Sequence, residues 1–501
     1  MPNISVIIST FNGLKLLQKN LASVVEAASE MDEIVIADDK SSDLTVPHFI
    51  HQYDLELIEE NEDYKLYQNI FYWEKKQLTL TLVANQKNLR FGANNNLAVR
   101  LAKHELVFIL NNDCRPQKKC LKQLADHFEN GDKDLFAVTC FEKTTQKDGE
   151  YQYHGKNKLW WQRGRFIHGQ FEGDPEKWKK GETAWAGGGS SLFDKKKFLA
   201  LGGFDSLFYP AYWEDIDLSW QAKKMGYKIL FDPSAVVIHD HETTNKSVFG
   251  QKKMADLAWK NGSRFIKKNA SLKQKIASLL WSPYWIWKRH QFGCVLALLI
   301  LLTIITRFYK LGSLPSGMTW DEAAIGYNGW SIWQTRRDEW LEKLPLAFKS
   351  FGDYKAPLAI YISGLFTSLI GLTPLAVRLP FAMAGVMAVW GMVLLLKELL
   401  IATKSKYPHK LSLLGGFIFA FTPWSFMFSR TGFESGMALC FIIWAGYLIL
   451  NCQRTSRKYT QKWWQFGLAT TLIAAAMYVY HSSKITAPLI LLLMMVLWWR
   501  K

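Results

Sequence analysis

At 501 residues the chain has room for two or three domains and no difficulty in burying a core. The hydrophobic share of 49% hides a split: residues 1–280 alternate polar and apolar stretches, and long apolar runs take over from about Trp281. A net charge of +17 without any nucleic-acid-binding motif excludes nucleic acid as the partner. Six cysteines without a C-x-x-C pair or finger spacing exclude a disulfide framework.

No signal peptide is expected at the start of the chain. Residues 1–10 run directly into a strand pattern, so the N-terminal half is expected to stay in the reducing cytosol where it was made. The β-branched run 4–9 ends in the turn-prone Thr10-Phe11-Asn12-Gly13, and a helix is predicted over 14–28. A second strand, 33–37, ends in Asp38-Asp39-Lys40-Ser41-Ser42-Asp43, and a third covers 78–83. A helix over 94–103 precedes a fourth strand, 106–110, which ends in Asn111-Asn112-Asp113. Strands alternating with helices, each strand closed by a polar cluster, predict a doubly wound, mostly parallel α/β sheet. Ligands of such sheets bind beyond the carboxyl ends of the strands, where these clusters fall.

Each cluster alone reads equally well as a helix cap or a turn. Their order is more telling. Two acidic strand ends are followed by Trp185–Ser191 (WAGGGSS), Gly202-Gly203-Phe204-Asp205, Trp213-Glu214-Asp215-Ile216-Asp217 and His239-Asp240-His241. Moving a sugar from a diphosphate needs a carboxylate to hold a cation on the phosphates and a second one to deprotonate the acceptor hydroxyl. The segments SVIISTFNG (5–13), EIVIADDKSSD (33–43), NLRFGANNNLA (88–98), FILNND (108–113), WEDIDLSWQAKKMGYKI (213–229) and VVIHDH (236–241) together resemble glycosyltransferase family 2, with its GT-A fold.

The resemblance implies a nucleotide-sugar donor, held by Thr10, Asn12, Asp39, Asn95, Asn111 and Asn112. It also implies a divalent metal, Mn²⁺ or Mg²⁺, on Asp113 and His239, with Asp215 as catalytic base beside Glu214. Asn111 stands where the family's D-x-D motif has its first Asp, which lowers the charge available to a hard cation. Glu214 and Asp217 also read as acids complementing a helix dipole, and His241 as a surface neighbour of His239. A Gln-x-x-Arg-Trp segment, usual in processive relatives, does not follow the Glu-Asp pair, which implies transfer of single residues.

Residues 246–290 carry eleven Lys/Arg against one acid, Asp256, and read as a basic linker on the cytosolic membrane surface. Apolar runs follow at 294–305, 357–372, 381–396, 411–428, 441–450 and 485–499, predicting an all-α multi-span membrane domain over 291–501. Its segments TWDEAAIGYNGWSI (319–332), FGDYKAPLAIYISGLF (351–366) and FSRTGFESGMAL (428–439) resemble the GT-C membrane transferases that use polyprenyl-phosphate sugars. That resemblance implies Asp321 and Glu322 as catalytic acids and Lys355 as the ligand of a lipid phosphate. Thr319 through Glu322 also reads as a helix cap. The GT-C-like part is shorter than is usual for the type and is expected to be incomplete.

The expected whole is a cytosolic transferase domain (1–245), the linker, and a membrane domain in the cell membrane. It would act on a membrane lipid or lipid-linked acceptor. Two other readings stay open: a membrane half that only anchors the enzyme, and a non-catalytic sugar-binding scaffold.

Overall fold

The computed structural model describes residues 2–74, 76–129, 131–145, 151–240, 250–455 and 462–499, and His241 lies outside them. The chain divides into two units, Met1–Ser282 and Pro283–Lys501.

In the first unit, four parallel strands form the centre of a mixed sheet: β1 (Ile4–Thr10), β2 (Glu33–Asp38), β5 (Lys76–Asn85) and β6 (Leu106–Asn111), in the order β6-β1-β2-β5. β3 (Glu56–Glu60) and β4 (Tyr64–Trp73) extend one edge as antiparallel strands. The other side runs through β13 (Ser190–Asp194), antiparallel to both β6 and β8 (Leu135–Thr145), and on to β14 (Lys228–His239). β7 (Cys114–Pro116) pairs with the end of β14, β9 (Tyr151–His154) with β8, β10 (Asn157–Gln162) with β11 (Arg165–Gln170), and β12 (Gly181–Glu182) with β14.

The two faces of β1 show why the centre is buried on both sides. Ile4, Val6 and Ile8 pack with Leu17, Leu21 and Val24 of the helix Leu14–Ala27. Ile7 points the other way, to Leu97 and Ala98 of the helix Arg90–Leu101. Alternation with a period of two splits one apolar run between two cores. Register then aligns the carboxyl ends: Thr10 lies opposite Asp38 and Ser9 opposite Asn111, so three polar clusters end at one edge.

The expected linker is built differently from its sequence reading. Gln251–Asn269 is a helix inside the first unit, with Phe265 and Ile266 packed among Phe166, Trp185, Phe208 and Trp213. Burying Phe265 alone contributes about 1.5–3 kcal/mol, which a solvated linker would forgo. Two of its residues are also engaged at the surface of that unit, Lys268 with two acids and Trp259 with Arg165 of the strand Arg165–Gln170. Lys268 Nζ lies 2.6 Å from Asp217 and 2.6 Å from Asp205, and Arg165 stacks 3.5 Å from the Trp259 ring centroid. Asp217 is therefore an ion-pair partner more than a dipole acid.

The second unit is helical. Among the described residues, three helices are long and apolar enough to cross a membrane: Leu272–Phe308, which begins in the first unit, Pro374–Ala402 and Glu434–Cys452. The apolar run 411–428 is broken, because Pro408–Phe421 and Pro423–Arg430 meet at 56° where Pro423 interrupts the helical hydrogen bonds. Pro357–Ile370 is short, about 21 Å at the helical rise per residue. It packs against Trp320–Thr335 by backbone approach: a Cβ on Gly364 would run into the carbonyl oxygen of Gly329.

Candidate functional site

At the shared strand edge of the first unit, Asn12 ties two loops together. Its Oδ1 accepts from the backbone N–H of Ser42 at 2.7 Å, and its own N–H donates to Ser41 Oγ at 2.8 Å. Thr10 is buried, and its Oγ1 accepts from Asn112 Nδ2 at 3.0 Å. The Asn112 carbonyl accepts in turn from Asn20 Nδ2 at 2.8 Å. Asp39 has both carboxylate oxygens on backbone N–H groups, Leu89 at 2.5 Å and Arg90 at 2.8 Å, where the helix Arg90–Leu101 begins. Burial raises its pKa against those two hydrogen bonds. Its neighbour Asp38 keeps one buried oxygen, Oδ2, without a partner.

Asn95, expected to touch the donor, has no exposed surface. Its amide spans Ser9 Oγ at 2.7 Å and the Phe91 carbonyl at 2.9 Å. It supports the floor of the site and presents no exposed atom to a ligand.

Asp113 and His239 come together because β7 follows Asp113 and pairs with the last residues of β14, with Cys114 opposite His239. His239 Nε2 lies 3.0 Å from Asp113 Oδ1, and its Nδ1 lies 2.7 Å from Glu142 Oε1. Glu142 also accepts from Ser190 Oγ at 3.1 Å. Burial opposes ionisation of Glu142, but the hydrogen bond and charge of His239 outweigh it and hold the carboxyl at about 2. Burial likewise opposes a charge on His239, and Cys114, Asp113 and Glu142 overcome it and raise the ring's pKa.

Surroundings that favour a proton on His239 equally favour a metal cation in its place. Asp113, Cys114 and His239 present ligand atoms within 4.8 Å of one another. A carboxylate and an imidazole whose far nitrogen is fixed by a second carboxylate fit a divalent cation. The Cys114 thiol, pushed up to about 12 by burial, is the poorer ligand. Glu142 escapes sequence reasoning because it belongs to no local motif, whereas Cys114 is the residue that follows Asp113.

Asp215 approaches from the other side. It follows two consecutive left-handed residues, Tyr212 (φ 76°) and Trp213 (φ 80°), and lies in the first turn of the helix Glu214–Lys224. Glu214 is 7% exposed and its Oε2 has no partner, while Asp215 keeps an opening to solvent. Burial, and then the charge of Asp215, push Glu214 up to about 8; burial raises Asp215 too.

The glycine segment joins the two halves of the site. Gly188 N–H donates to Asp215 Oδ2 at 3.4 Å, and the carbonyl of the adjacent Gly189 accepts from Asn111 N–H at 3.0 Å. A Cβ on Gly189 would stand 2.5 Å from the Asn111 amide, and one on Gly188 would stand 3.1 Å from the Phe91 ring. Residues without side chains let this turn pass between the Asn-Asn-Asp motif and the acid pair.

In the second unit, Lys355, from the hairpin Phe348–Ser350/Asp353–Lys355, is ion-paired with Asp321. Glu322 does not fit an active-site acid. It is fully buried and closes a capping box with Thr319. Its Oε1 accepts from Arg378 Nε at 2.6 Å and from Gly432 N–H at 3.2 Å. Arg378 spends its other nitrogens on the carbonyls of Leu311, Pro315 and Gly317, so this acid anchors the turn before its helix.

Residues 5–196 match the family described as Glycosyl transferase family 2, and the N-terminal unit thus carries a glycosyltransferase domain. No curated protein matches the chain. Among solved structures, GalNAc-T7 with UDP, GalNAc and Mn²⁺ is 16% identical with a TM-score of 0.39, over 53% of this chain and 48% of its own. The chain thus spans about half the length of that structure. The mannosyltransferase PcManGT from Pyrobaculum calidifontis, in complex with GDP-Man and Mn²⁺, is 18% identical with a TM-score of 0.36, over 56% and 69%. S. aureus TarS 1-349 with UDP-GlcNAc is 14% identical with a TM-score of 0.33, over 57% and 81%.

Proposed function

We propose that the first unit transfers a sugar from a nucleoside-diphosphate donor to a hydroxyl or phosphate of a membrane-associated acceptor. The reading rests on the glycine segment that carries Gly188 on Asp215 and Gly189 on Asn111, one residue apart. It supports reading the raised acid pair and the Asp113–His239 cluster as parts of one site. Asp215, the more open of the two acids, takes the acceptor's proton as the new glycosidic bond forms and the bond to the nucleotide diphosphate breaks. Asp113 and His239 hold the divalent cation, and Glu142 fixes the tautomer of His239. When bound, the cation neutralises the diphosphate of the departing nucleotide. The three helices among the described residues that are apolar enough to cross a bilayer, with a basic segment ahead of them, favour an acceptor at the membrane.

Chelation tests the reading. EDTA should abolish donor turnover and added Mn²⁺ restore it, and Glu142→Gln should weaken Mn²⁺ affinity about 10–100-fold in a direct binding titration. Turnover indifferent to EDTA would overturn the metal assignment.

A second reading attaches to Asp321 and Lys355, whose pairing sets an accessible acid beside a cation in the membrane unit. A lipid-phosphate sugar would meet Lys355 at its phosphate while Asp321 served as the acid-base group. Transfer from such a donor that survives Asp215→Asn and fails in Asp321→Asn would support it.

A further inference from the structure

Asn261 sits in the middle of the helix Gln251–Asn269 with no exposed surface. Its Nδ2 faces three backbone carbonyls at once: Phe208 at 2.8 Å, Ala211 at 2.9 Å and Tyr212 at 3.0 Å. The amide can point only this way, because Oδ1 accepts from Arg264 Nη1 at 2.9 Å. Arg264 Nη1 also reaches the carbonyls of Leu207 at 2.9 Å and Tyr209 at 3.3 Å. Two side chains, one helical turn apart, thus gather five carbonyls from the six residues 207–212.

That loop ends in the left-handed pair Tyr212–Trp213, a conformation that aromatic residues adopt only where the surroundings dictate it. The next two residues are Glu214 and Asp215, two acids that repel each other and gain by moving toward water. Trp213 is held from the same helix, since a Cβ on Gly262 would stand 2.9 Å from its ring. Asn261 brings donors to this loop without bringing charge, so it can fix the backbone without drawing the proton off either acid. Arg264 does carry a charge, but its Nη1 reaches Leu207 and Tyr209, whereas the carbonyls nearest the acids, Ala211 and Tyr212, receive the neutral amide.

We propose that Asn261 is a positioning residue for transfer: it locks the 208–213 backbone and thereby sets where the Asp215 carboxylate meets the acceptor hydroxyl. The proposal rests on Asp215 being the base, and its test separates the two ideas.

Asn261→Leu removes the donors at similar volume. In the full chain in detergent micelles with Mn²⁺, amide exchange over residues 208–217 should accelerate about tenfold or more. Hydrolysis of UDP-GlcNAc or GDP-mannose, whichever the wild-type chain turns over faster, should fall about 10²-fold in kcat, the scale of a misplaced catalytic group. UDP or GDP affinity should stay within about twofold. In an Asp215→Asn background the same substitution should cost little more, because its effect passes through that carboxylate. Arg264→Gln, a milder change, should move exchange and kcat in the same direction where Asn261→Leu does not fold. Unchanged exchange, or a loss equally large without Asp215, would overturn the proposal. If Asp215→Asn alone costs nothing, the base assignment falls, and the exchange data still report whether the clamp exists.

Discussion

Among the described residues two acid pairs begin helices, and burial treats them differently. Glu214 and Asp215 open the helix Glu214–Lys224, and no cation is paired with either among the described residues. Glu214 responds by holding its proton up to about 8, for burial and for its neighbour's charge. Asp321 and Glu322 lie in the first turn of the helix Trp320–Thr335, and both have cations: Lys355 for Asp321 and the fully buried Arg378 for Glu322. An acid buried without a counter-charge gains affinity for protons, which is useful in chemistry. One buried with a guanidinium and two backbone N–H groups becomes a structural anchor.

The largest effect expected from this contrast is catalytic. Asp215→Asn should lower turnover about 10²–10⁴-fold with nucleotide affinity retained, read by steady-state kinetics beside a binding titration. Comparable loss in Glu214→Gln with little in Asp215→Asn would exchange their roles. Next comes Arg378→Met, which strands Glu322 without its partner and should cost about 3–5 kcal/mol in stability. The melting temperature in detergent would report it, and adding Glu322→Gln should recover much of the loss.

A smaller effect concerns pH. The folded protein keeps a proton on Glu214 between its ordinary pKa of 4.5 and about 8, whereas the unfolded chain releases it. Stability contributed by this group is therefore full below pH 4.5 and declines as pH rises toward 8, and the raised Asp215 acts in the same direction. Melting curves of Glu214→Gln should be flatter across that window than those of the wild type. The smallest effect is on Asp321→Asn, whose side chain is 39% exposed: about 0–1 kcal/mol of stability. A loss as large as that of Arg378→Met would make Asp321 an anchor like Glu322.

Much of the first unit is legible in the sequence because its information is local. β-branched runs give the strands, and the polar residues that stop them give the ligand edge, so strand pattern alone places Thr10, Asp38 and Asn111 together. Asp113 and His239 lie far apart in sequence, and only a resemblance pairs them; the physical link is the β7–β14 register. What stays hidden is non-local. Glu142 reaches His239 from the neighbouring strand β8, with no flanking pattern to mark it. Motif membership reads Asn95 and Glu322 as site residues, yet the motif's spacing does not reveal which members turn inward. The helix Gln251–Asn269 reads as a basic linker because lysines and arginines outnumber its few large apolar residues. Only the waiting cluster of Phe166, Trp185, Phe208 and Trp213 explains why those few suffice.

The placement of that helix also decides where the gene can be cut. A fragment ending at residue 245 would retain every acidic motif of the first unit yet lose Phe265, Ile266 and Ala270 from their cluster. The newly bared aromatic surface would invite self-association, and a recombinant product that precipitates or lacks activity would be misread as an enzyme that needs its membrane. A cut beyond Ala270 keeps the aromatic cluster closed, and so gives the soluble fragment on which donor preference can first be surveyed.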